Sequence, residues 1–577
     1  MDTALGSDTS HIIDPRPKTL KKPLLLAERT TLENIRKKKL FLLDNTKLDI
    51  GNYSTILTTL QSSLEGNGFQ QIELIRKTIR GKNSVQIEQM AKDVTFSGYK
   101  SAILTLGDMG VSPGMVLLTI ALEKAGVPTV CVTAGPGAQL AKAVAYYRAG
   151  RLCLVGLDVF PGSSDIEVEA EITQQVDTII SMLCTLQGNI ESQTHLTNHY
   201  DTAPPSDNGF LEIRGCASGL LQCHTNTDDY LDALYEQVEK SSIGDGLPVI
   251  PPTEKRVRKM EGFSPLKPHH VFCTDIGPSG SPITVEQLAI NSVMAGCKPE
   301  FMPVLTTAMT ALCDPAFNLF QAITTSHGGG NLLLISGPLA EELGINSSQG
   351  CLGPGTRANA TIGRAINLTL RNSCRVITGF SDLACLSSPA EYSYCFAENI
   401  ENSPWDTINA ERYDGNTTTV SVLMAEAPHN VMDFASTTGN GLLETIADCC
   451  TTLGSNNGYL PGNLLVVLTP DHAQLLVRDG YDKESIRGYL HHKVGNPTQK
   501  LTGRGLVGIG PKRGANEPFF KATRCPEDIE IVVAGGKGGH SCVIRPWSLH
   551  SNLVVQPILL PDGSIPKSIN NFEKRTL

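Results

Sequence analysis

The fold is decided by residues 102–133, which read AILTLGDMGVSPGMVLLTIALEKAGVPTVCVT. Two apolar runs of strand length, 102–106 and 128–133, flank a longer apolar stretch that is typical of a buried helix ending at Gly126. A strand, a glycine-containing loop, a helix and a second strand in this order form a βαβ unit, whose two strands are parallel. We therefore predict a parallel sheet with helices packed on its faces.

The same alternation continues on both sides of this unit. Apolar patterning predicts further strands and helices at 39–43, 53–64, 139–148, 152–155 and 167–186. Strands that alternate with helices of this length are typical of a doubly wound α/β layer. We predict a flavodoxin-like layer in this first domain.

A second α/β domain is predicted after a stretch rich in Asn, Ser, Thr, Pro and Asp, because alternating strand and helix patterns resume there. The predicted fold class is α/β, with two domains whose sheets are parallel or mixed. The predicted organisation is an N-terminal arm (1–35), the first α/β domain (36–187), a linker with a connecting helix (188–243) and a C-terminal α/β domain (244–577).

Composition excludes several classes of protein. The 577 residues carry 48 Lys and Arg against 58 Asp and Glu, a net charge of −10, which argues against nucleic-acid binding. No apolar run reaches the roughly 18–20 residues that span a bilayer, and the N-terminus does not resemble a secretory signal, so neither membrane insertion nor secretion is expected. The 16 cysteines contain no CxxC pair, which predicts a reducing cytoplasm and no metal site readable from spacing.

The loop at 107–114, GDMGVSPG, is the first candidate for a binding site. It joins the carboxyl end of a strand to the start of a helix, where α/β sheets bind ligands and free N–H groups suit an anion. Asp108, Gly110 and Ser112 are the substrate-binding candidates here. The alternative is a tight turn with Pro113 in the first turn of the helix.

The segment INSVMAGCKPEFMPV contains a candidate thiol. Cys297 stands at a turn beside Lys298, which would lower its pKa and favour the thiolate, and Glu300 would transfer protons. A buried structural cysteine is the alternative for Cys297, and a helix-capping carboxylate is the alternative for Glu300.

The segment SSQGCLGPGTRANATIGRA combines a glycine-rich loop with two arginines seven residues apart. Arg357 and Arg364 would project from one face of the following helix and clamp a carboxylate or phosphate, with Asn359 as a further substrate-binding candidate. A structural turn with surface arginines is the alternative.

Two more segments supply candidates for proton transfer. In YSYCFAENIENSPW, helical spacing would place Cys395 and Glu398 on one broad face, although solvent-facing glutamates would look the same. In VVAGGKGGH, His540 would act as a general base beside glycines that suit an anion, unless it merely forms a hydrogen bond in a loop.

The blocks LFLLDNTKLDIG, GDMGVSPG and EKAGVPTVCVT resemble the UGSC-type (seleno)protein family, which is related to the substrate-specific B components of glycine and D-proline reductases. The blocks GDGLPVIPPT, INSVMAGCKPEFMPV, GPGTRANATIGRA, CFAENIENSPW and VVAGGKGGH resemble the domain that accompanies such modules in bacterial proteins. The resemblance implies redox chemistry at a GD-(Sec/Cys)-G-S-Cys motif. This chain has Met109 and Ser112 at the two chalcogen positions, and a thioether forms no thiolate or disulfide.

The leading hypothesis is therefore an enzyme, reductase-like or lyase-like, that uses thiol chemistry in the C-terminal domain. It would make or break a carbon–heteroatom bond of a small carboxylate- or amine-bearing metabolite, in specialised metabolism. Cys297 and Cys395 would supply the thiol, and Glu300 or His540 would transfer protons. One alternative is a lyase or hydrolase that depends on a metal or an acid–base pair, and another is a non-catalytic binding protein. The sequence specifies no cofactor, and it is compatible with a homo-oligomer.

Overall fold

A computed structural model describes the chain over most of its length. The described residues are 11–16, 24–45, 53–107, 111–150, 152–159, 163–184, 194–195, 220–222, 235–236, 238–240, 242–505, 517–548 and 550–573. They form two α/β parts, which we call the N-terminal region (24–184) and the C-terminal region (242–573). Strands alternate with helices in both, so the predicted fold class is confirmed.

The N-terminal region is built on one parallel sheet. The strands of this sheet are β2 (Lys39–Asp44), β3 (Gln71–Arg76), β4 (Ser101–Gly107), β5 (Thr129–Ala134), β6 (Leu154–Leu157) and, beyond residue 184, β7 (Thr194–His195). Two further strands, β1 (His11–Ile13) and β8 (Leu220–Gln222), pair with each other in antiparallel orientation, apart from this sheet. The order in the sheet is β3–β2–β4–β5–β6–β7, and every neighbouring pair is parallel. This is the flavodoxin-like order, and the chain reverses direction across the sheet between β2 and β4.

Helices cover both faces of this sheet. They are α1 (Leu32–Arg36), α2 (Tyr53–Gly66), α3 (Ser84–Phe96), α4 (Ser112–Lys124), α5 (Pro136–Arg148) and α6 (Asp165–Leu183). Along β2, Leu40 and Leu42 pack with α2 and α6, whereas Phe41 and Leu43 pack with α3, α4 and α5. Alternate residues of a strand point to opposite faces, so the continuous apolar runs seen in the sequence fill two cores.

The C-terminal region contains two four-stranded mixed sheets. Its strands are β9 (Val271–Cys273), β10 (Ile283–Thr284), β11 (Gly330–Ser336), β12 (Cys395–Ala397), β13 (Thr419–Ala425), β14 (His429–Met432), β15 (Leu464–Leu468), β16 (Gly495–Pro497), β17 (Phe519–Lys521), β18 (Ile529–Val533), β19 (His540–Ile544) and β20 (Val554–Pro557). One sheet has the order β12–β11–β13–β20 and the other β14–β19–β15–β18.

The helices of this region lie outside the two sheets. They are α7 (Glu254–Phe263), α8 (Val285–Ala295), α9 (Met302–Leu312), α10 (Leu319–Ala322), α11 (Leu339–Glu342), α12 (Arg357–Cys374), α13 (Ile408–Arg412), α14 (Gly439–Cys449), α15 (Pro470–Arg478), α16 (Lys483–Lys493) and α17 (Thr498–Leu501). Apolar residues of β11 and β15 fill a core between the sheets, and α8, α9 and α12 pack on the outer face of the first. The result is a helix–sheet–sheet–helix stack.

The prediction that a helix carries Cys395 and Glu398 is wrong. Residues Cys395–Ala397 form β12, and Cys395 pairs with Leu333 of β11 in parallel register. The backbone N–H of Glu398 continues this ladder to the carbonyl of Ile335. Pairing with a strand about 60 residues away in the sequence decides the local structure here. The i, i+3 spacing of the polar residues does not indicate this pairing.

The two regions contact each other through the end of α5. Arg148 is mostly buried and donates to the carbonyls of Asp275, Gly277 and Pro278, at 2.8, 2.8 and 3.3 Å. Elsewhere on α5, Gln139, Tyr146 and Tyr147 lie against Phe380, whose carbonyl accepts from Gln139 at 3.1 Å. The N-terminal region therefore supports the loop that follows α12. No helix in the described part of the chain is long and apolar enough to cross a membrane.

Candidate active site

A cavity of about 680 Å³ lies in the C-terminal region, between α12, the start of β11 and the loop 376–392. This volume is in the range of small-molecule sites. The glycines of SHGGGN allow the loop to lie against β11, because a Cβ atom on Gly330 would stand 2.8 Å from the carbonyl oxygen of Ala390. The fold thus places a loop rich in polar residues directly over the strand.

Arg371 supplies a positive charge to this cavity. Its Nη1 donates to Thr378 at 3.3 Å, while its Nε is buried and has no hydrogen-bond partner among the described residues. Burial lowers the pKa of Arg371, and the nearby carboxylates of Asp382 and Asp245 oppose that shift. A guanidinium stays charged in such surroundings, so Arg371 gives the cavity a positive charge that suits an anionic ligand.

Two carboxyl groups in the cavity have raised pKa values. Burial raises the pKa of Glu391 to about 7, and the nearby charge of Asp382 acts in the same direction. Burial also raises the pKa of Asp382, although the N–H of Ala384 and the charge of Arg371 counteract it. A carboxyl group whose pKa is near 7 can both take up and release a proton at neutral pH, as general acid–base catalysis requires.

Neutral polar side chains line the cavity next to these charges. Asn331 donates to the side-chain oxygen of Asn367 at 3.0 Å, and Asn367 donates to the carbonyl of Glu391 at 2.7 Å. The Oδ1 of Asn331 and the Nδ1 of His327 are buried and accept or donate no hydrogen bond within the described structure. Unsatisfied buried polar atoms are costly, and a bound ligand would supply their partners.

The predicted thiols lie elsewhere, in the apolar core under α12. The Sγ of Cys297 donates to the carbonyl of Thr361 at 3.2 Å, and burial raises the pKa of this thiol to about 12. The expected lowering of the Cys297 pKa is therefore wrong, because burial outweighs the charges of Arg357 and Arg364. Cys395 lies close to Cys297, and burial raises its pKa as well. Both are neutral thiols at physiological pH.

The predicted carboxylate clamp has other partners in the structure. Arg364 forms a two-pronged ion pair with Asp245, at 2.7 and 2.8 Å, and donates to the carbonyl of Pro248 at 3.0 Å. Arg357 is exposed and donates to the carbonyl of Gly296 at 2.8 Å. Asn359 is buried, and its side chain makes three hydrogen bonds to the backbone of Asn346 and Cys351. These three side chains hold loops in place.

The three remaining candidates of the C-terminal region lie apart from the cavity lining. Glu300 follows Pro299 in a short helical turn, and its Oε2 is buried without a hydrogen-bond partner in the described part of the chain. Glu398 is fully buried between the sheets, where burial raises its pKa to about 7 and Ser336 contacts its Oε2 at 2.5 Å. His540 is exposed and contacts the Oδ1 of Asn430 at 3.0 Å.

In the N-terminal region, Asp108 and Gly110 lie outside the described residues. Ser112 begins α4 and is completely buried, and its Oγ has no described partner. Nearby, Asn45 follows β2 and donates to the carbonyl of Leu106. These polar groups stand at the point between β2 and β4 where flavodoxin-like sheets bind ligands. The binding role of this loop stays a prediction.

The sequence contains one signal for the cavity that our predictions did not use. Arg371 continues the seven-residue spacing of Arg357 and Arg364, so all three project from one side of α12. Asp382 and Glu391 stand in a loop without periodicity, and only the fold brings them to the helix. Among the described residues, no three His, Cys, Asp or Glu side chains are grouped as a metal site.

Comparison with known proteins finds a similarity over the first part of the chain. No curated protein and no solved structure matches the chain. A family match covers residues 11–151 and so ends within the N-terminal region, before the cavity begins. It is over this part that the chain is similar to the UGSC family.

Proposed function

We propose that the protein is an enzyme that makes or breaks a carbon–heteroatom bond of a small carboxylate- or amine-bearing metabolite by acid–base chemistry. The observation that carries the proposal is that Glu391, with a pKa of about 7, shares one cavity with Arg371, whose Nε lacks a partner. Raised carboxyl pKa values in a concave site are typical of functional positions.

In this proposal Arg371 binds the substrate carboxylate. A carboxylate that accepts from its Nε would satisfy the buried donor and neutralise the charge, and such charge-assisted hydrogen bonds also fix orientation. The Oδ1 of Asn331 would accept from an N–H or O–H group of the same substrate. An amine group of the substrate would lie close to the carboxyl groups of Asp382 and Glu391.

Glu391 transfers the proton. As a carboxylate it removes a proton from the substrate, and as a carboxylic acid it returns one to the departing heteroatom or to carbon. Because its pKa is near 7, both forms are populated at neutral pH. The neighbouring Asp382 helps to keep Glu391 protonated, since two nearby carboxylates repel each other.

The buried thiols support this acid–base alternative over the thiol chemistry that the sequence suggested. Cys297 and Cys395 are enclosed in the core, whereas a nucleophilic thiol needs exposure and a lowered pKa. A metal-dependent lyase or hydrolase is the other version of this alternative. Elemental analysis of the purified protein separates it from metal-free acid–base chemistry. The non-catalytic alternative predicts ligand binding without turnover.

We also infer that the N-terminal region is related to the B components of glycine and D-proline reductases, and that the C-terminal region is its usual companion. Their redox chemistry would not transfer to this chain, because Met109 and Ser112 replace the two chalcogens. A cytoplasmic enzyme of specialised metabolism, as a monomer or a homo-oligomer, would fit this descent.

The test is a search for turnover among small carboxylates, with variants that separate the cavity from the rest of the chain. Purified protein is incubated with amino, hydroxy and dicarboxylic acids, and their consumption is followed by proton NMR. We expect Glu391→Gln to bind the consumed compound without converting it, while Glu341→Gln, at an exposed helix position, behaves as the wild type. Equal turnover by Glu391→Gln and the wild type would refute the proposal.

A further inference from the structure

Three cysteines that are distant in the sequence meet at one end of the C-terminal region. Cys273 ends β9, Cys313 follows α9 and Cys374 ends α12. They belong to the same apolar cluster, and the side chains of Cys273 and Cys313 are in hydrogen-bonding contact. All three are free thiols in the structure.

The three thiols differ in their access to solvent. Cys374 is completely buried, whereas Cys273 and Cys313 are each partly exposed. Cys273 and Cys313 are therefore closer to solvent than the third thiol. Contact with Cys273 raises the pKa of Cys313, because one of two touching thiols keeps its proton when the other loses its own.

From this contact and this exposure we propose that Cys273 and Cys313 are a reversible disulfide pair, oxidised by exchange with a low-molecular-weight disulfide such as glutathione disulfide. The Cys273 thiolate attacks one sulfur of the small disulfide and displaces its other half, which leaves as a thiolate and takes up a proton. The Cys313 sulfur then loses its proton, attacks the Cys273 sulfur and displaces the second half as a thiol. The protein loses two hydrogens, and the small disulfide is reduced to two thiols.

The pair is placed where a new bond would affect the contact between the two regions. Cys273 precedes the loop 274–282, whose carbonyls bind Arg148 of the N-terminal region. The same loop packs on Cys374, since a Cβ atom on Gly277 would stand 2.5 Å from the Cβ of Cys374. A disulfide from Cys273 to the end of α9 would fix one end of this loop.

The first test uses the reduced full-length chain and glutathione disulfide. After incubation, remaining thiols are alkylated under denaturing conditions and the digested protein is analysed by mass spectrometry. We expect a peptide pair joined through Cys273 and Cys313 that dithiothreitol separates. Glutathione on the exposed Cys385 shows that the oxidant has acted. Modified Cys385 without the Cys273–Cys313 link would overturn the proposal, as would a link to Cys374.

Serine variants then test the order of attack. Cys313→Ser should retain glutathione on Cys273, because the thiol that resolves the mixed disulfide is missing, and Cys273→Ser should leave Cys313 unmodified. Cys385→Ser is the matched control and should form the link as the wild type does. Glutathione on Cys313 in the Cys273→Ser variant would contradict the assigned order. In the oxidised wild type, amide hydrogen exchange in 274–282 should slow relative to the reduced protein, and unchanged exchange would show that the bond does not fix the loop.

Discussion

The carboxyl edge of the N-terminal sheet and the cavity of the C-terminal region both have polar groups that suit a ligand, but the groups differ. The sheet edge presents the start of α4 and buried neutral groups such as the Oγ of Ser112 and the Oδ1 of Asn45. The cavity presents an arginine and two carboxyl groups with raised pKa values. Binding needs only the first kind of site, whereas proton transfer at neutral pH needs the second.

The fold rule and the carboxyl groups with raised pKa values point to different places in this chain. The family match and the flavodoxin-like strand order both direct attention to the sheet edge. The groups that can exchange protons lie beyond the matched residues, in a cavity whose loop rests on the N-terminal region through Phe380 and Leu383. The N-terminal region would then act as a support for the cavity, in addition to any ligand that it binds.

The largest effect is expected from Glu391→Gln. The amide keeps the size of the side chain but cannot transfer the proton, so turnover should fall by about 10²–10⁴-fold. Ser112→Ala at the sheet edge should leave turnover unchanged, since it removes a hydroxyl without a described partner. Steady-state kinetics of both variants decides between the two regions: a large loss in Ser112→Ala with normal Glu391→Gln would move the chemistry to the sheet edge.

A second comparison sets Glu391 beside Glu398, because burial raises the pKa of both to about 7. Glu398 is enclosed between the sheets, so its effect is on stability. Its folded pKa lies above the unfolded value of 4.5. Its stabilising contribution is therefore complete below about pH 4.5 and is lost as the pH rises through 7, by about 3 kcal/mol in total.

Glu398→Gln should remove this pH dependence. The amide oxygen of the glutamine can accept from the Ser336 hydroxyl and from the N–H of Ile408, as the Oε2 of Glu398 does. The free energy of unfolding of the wild type relative to the variant should therefore decline between pH 5 and pH 8, as measured by urea denaturation. Glu341→Gln, on the surface, should give a constant difference. A difference between wild type and Glu398→Gln that does not change with pH would contradict the raised pKa.

The next prediction compares Arg371 and Arg357 as residues that bind the substrate carboxylate. Arg371→Gln should weaken substrate binding by about 10–100-fold, which corresponds to the loss of one hydrogen bond to a charged group. Arg357→Gln should change binding little, because Arg357 is exposed and bonded to a backbone carbonyl. KM values, or calorimetric titration of the Glu391→Gln protein, would show the difference. A larger effect of Arg357→Gln than of Arg371→Gln would instead support the carboxylate clamp predicted from the sequence.

Much of the fold was readable from the sequence because its strands are buried on both sides. The predicted strands 39–43, 102–106 and 128–133 lie within one residue of β2, β4 and β5 at each end, since continuous apolar runs mark them clearly. The short strand β12 was missed, because three residues carry too little pattern and their pairing with β11 is not local. The edge strand β3 was also missed, since its polar and apolar residues alternate weakly.

The candidate site was readable only in part, for a physical reason. Spacing along α12 showed which arginines share a side, but it did not show that Arg364 is neutralised by Asp245 while Arg371 keeps an unused donor. The direction of a pKa shift depends on burial, and a cysteine beside a lysine in the sequence looks the same whether it is exposed or enclosed. The sequence therefore pointed to α12, whereas the structure was needed to find Arg371 in the cavity.

The smallest effect is expected at Cys297, the residue on which the sequence placed the chemistry. Cys297→Ala removes the hydrogen bond to the carbonyl of Thr361 and leaves a small void, so the free energy of unfolding should fall by about 1–2 kcal/mol. Turnover should remain that of the wild type, because the thiol is enclosed in the core and does not line the cavity. Denaturation and steady-state kinetics on the same preparation separate the two effects. A folded Cys297→Ala protein without activity would show that the thiol takes part in the reaction. That result would contradict the proposal that the reaction takes place in the cavity.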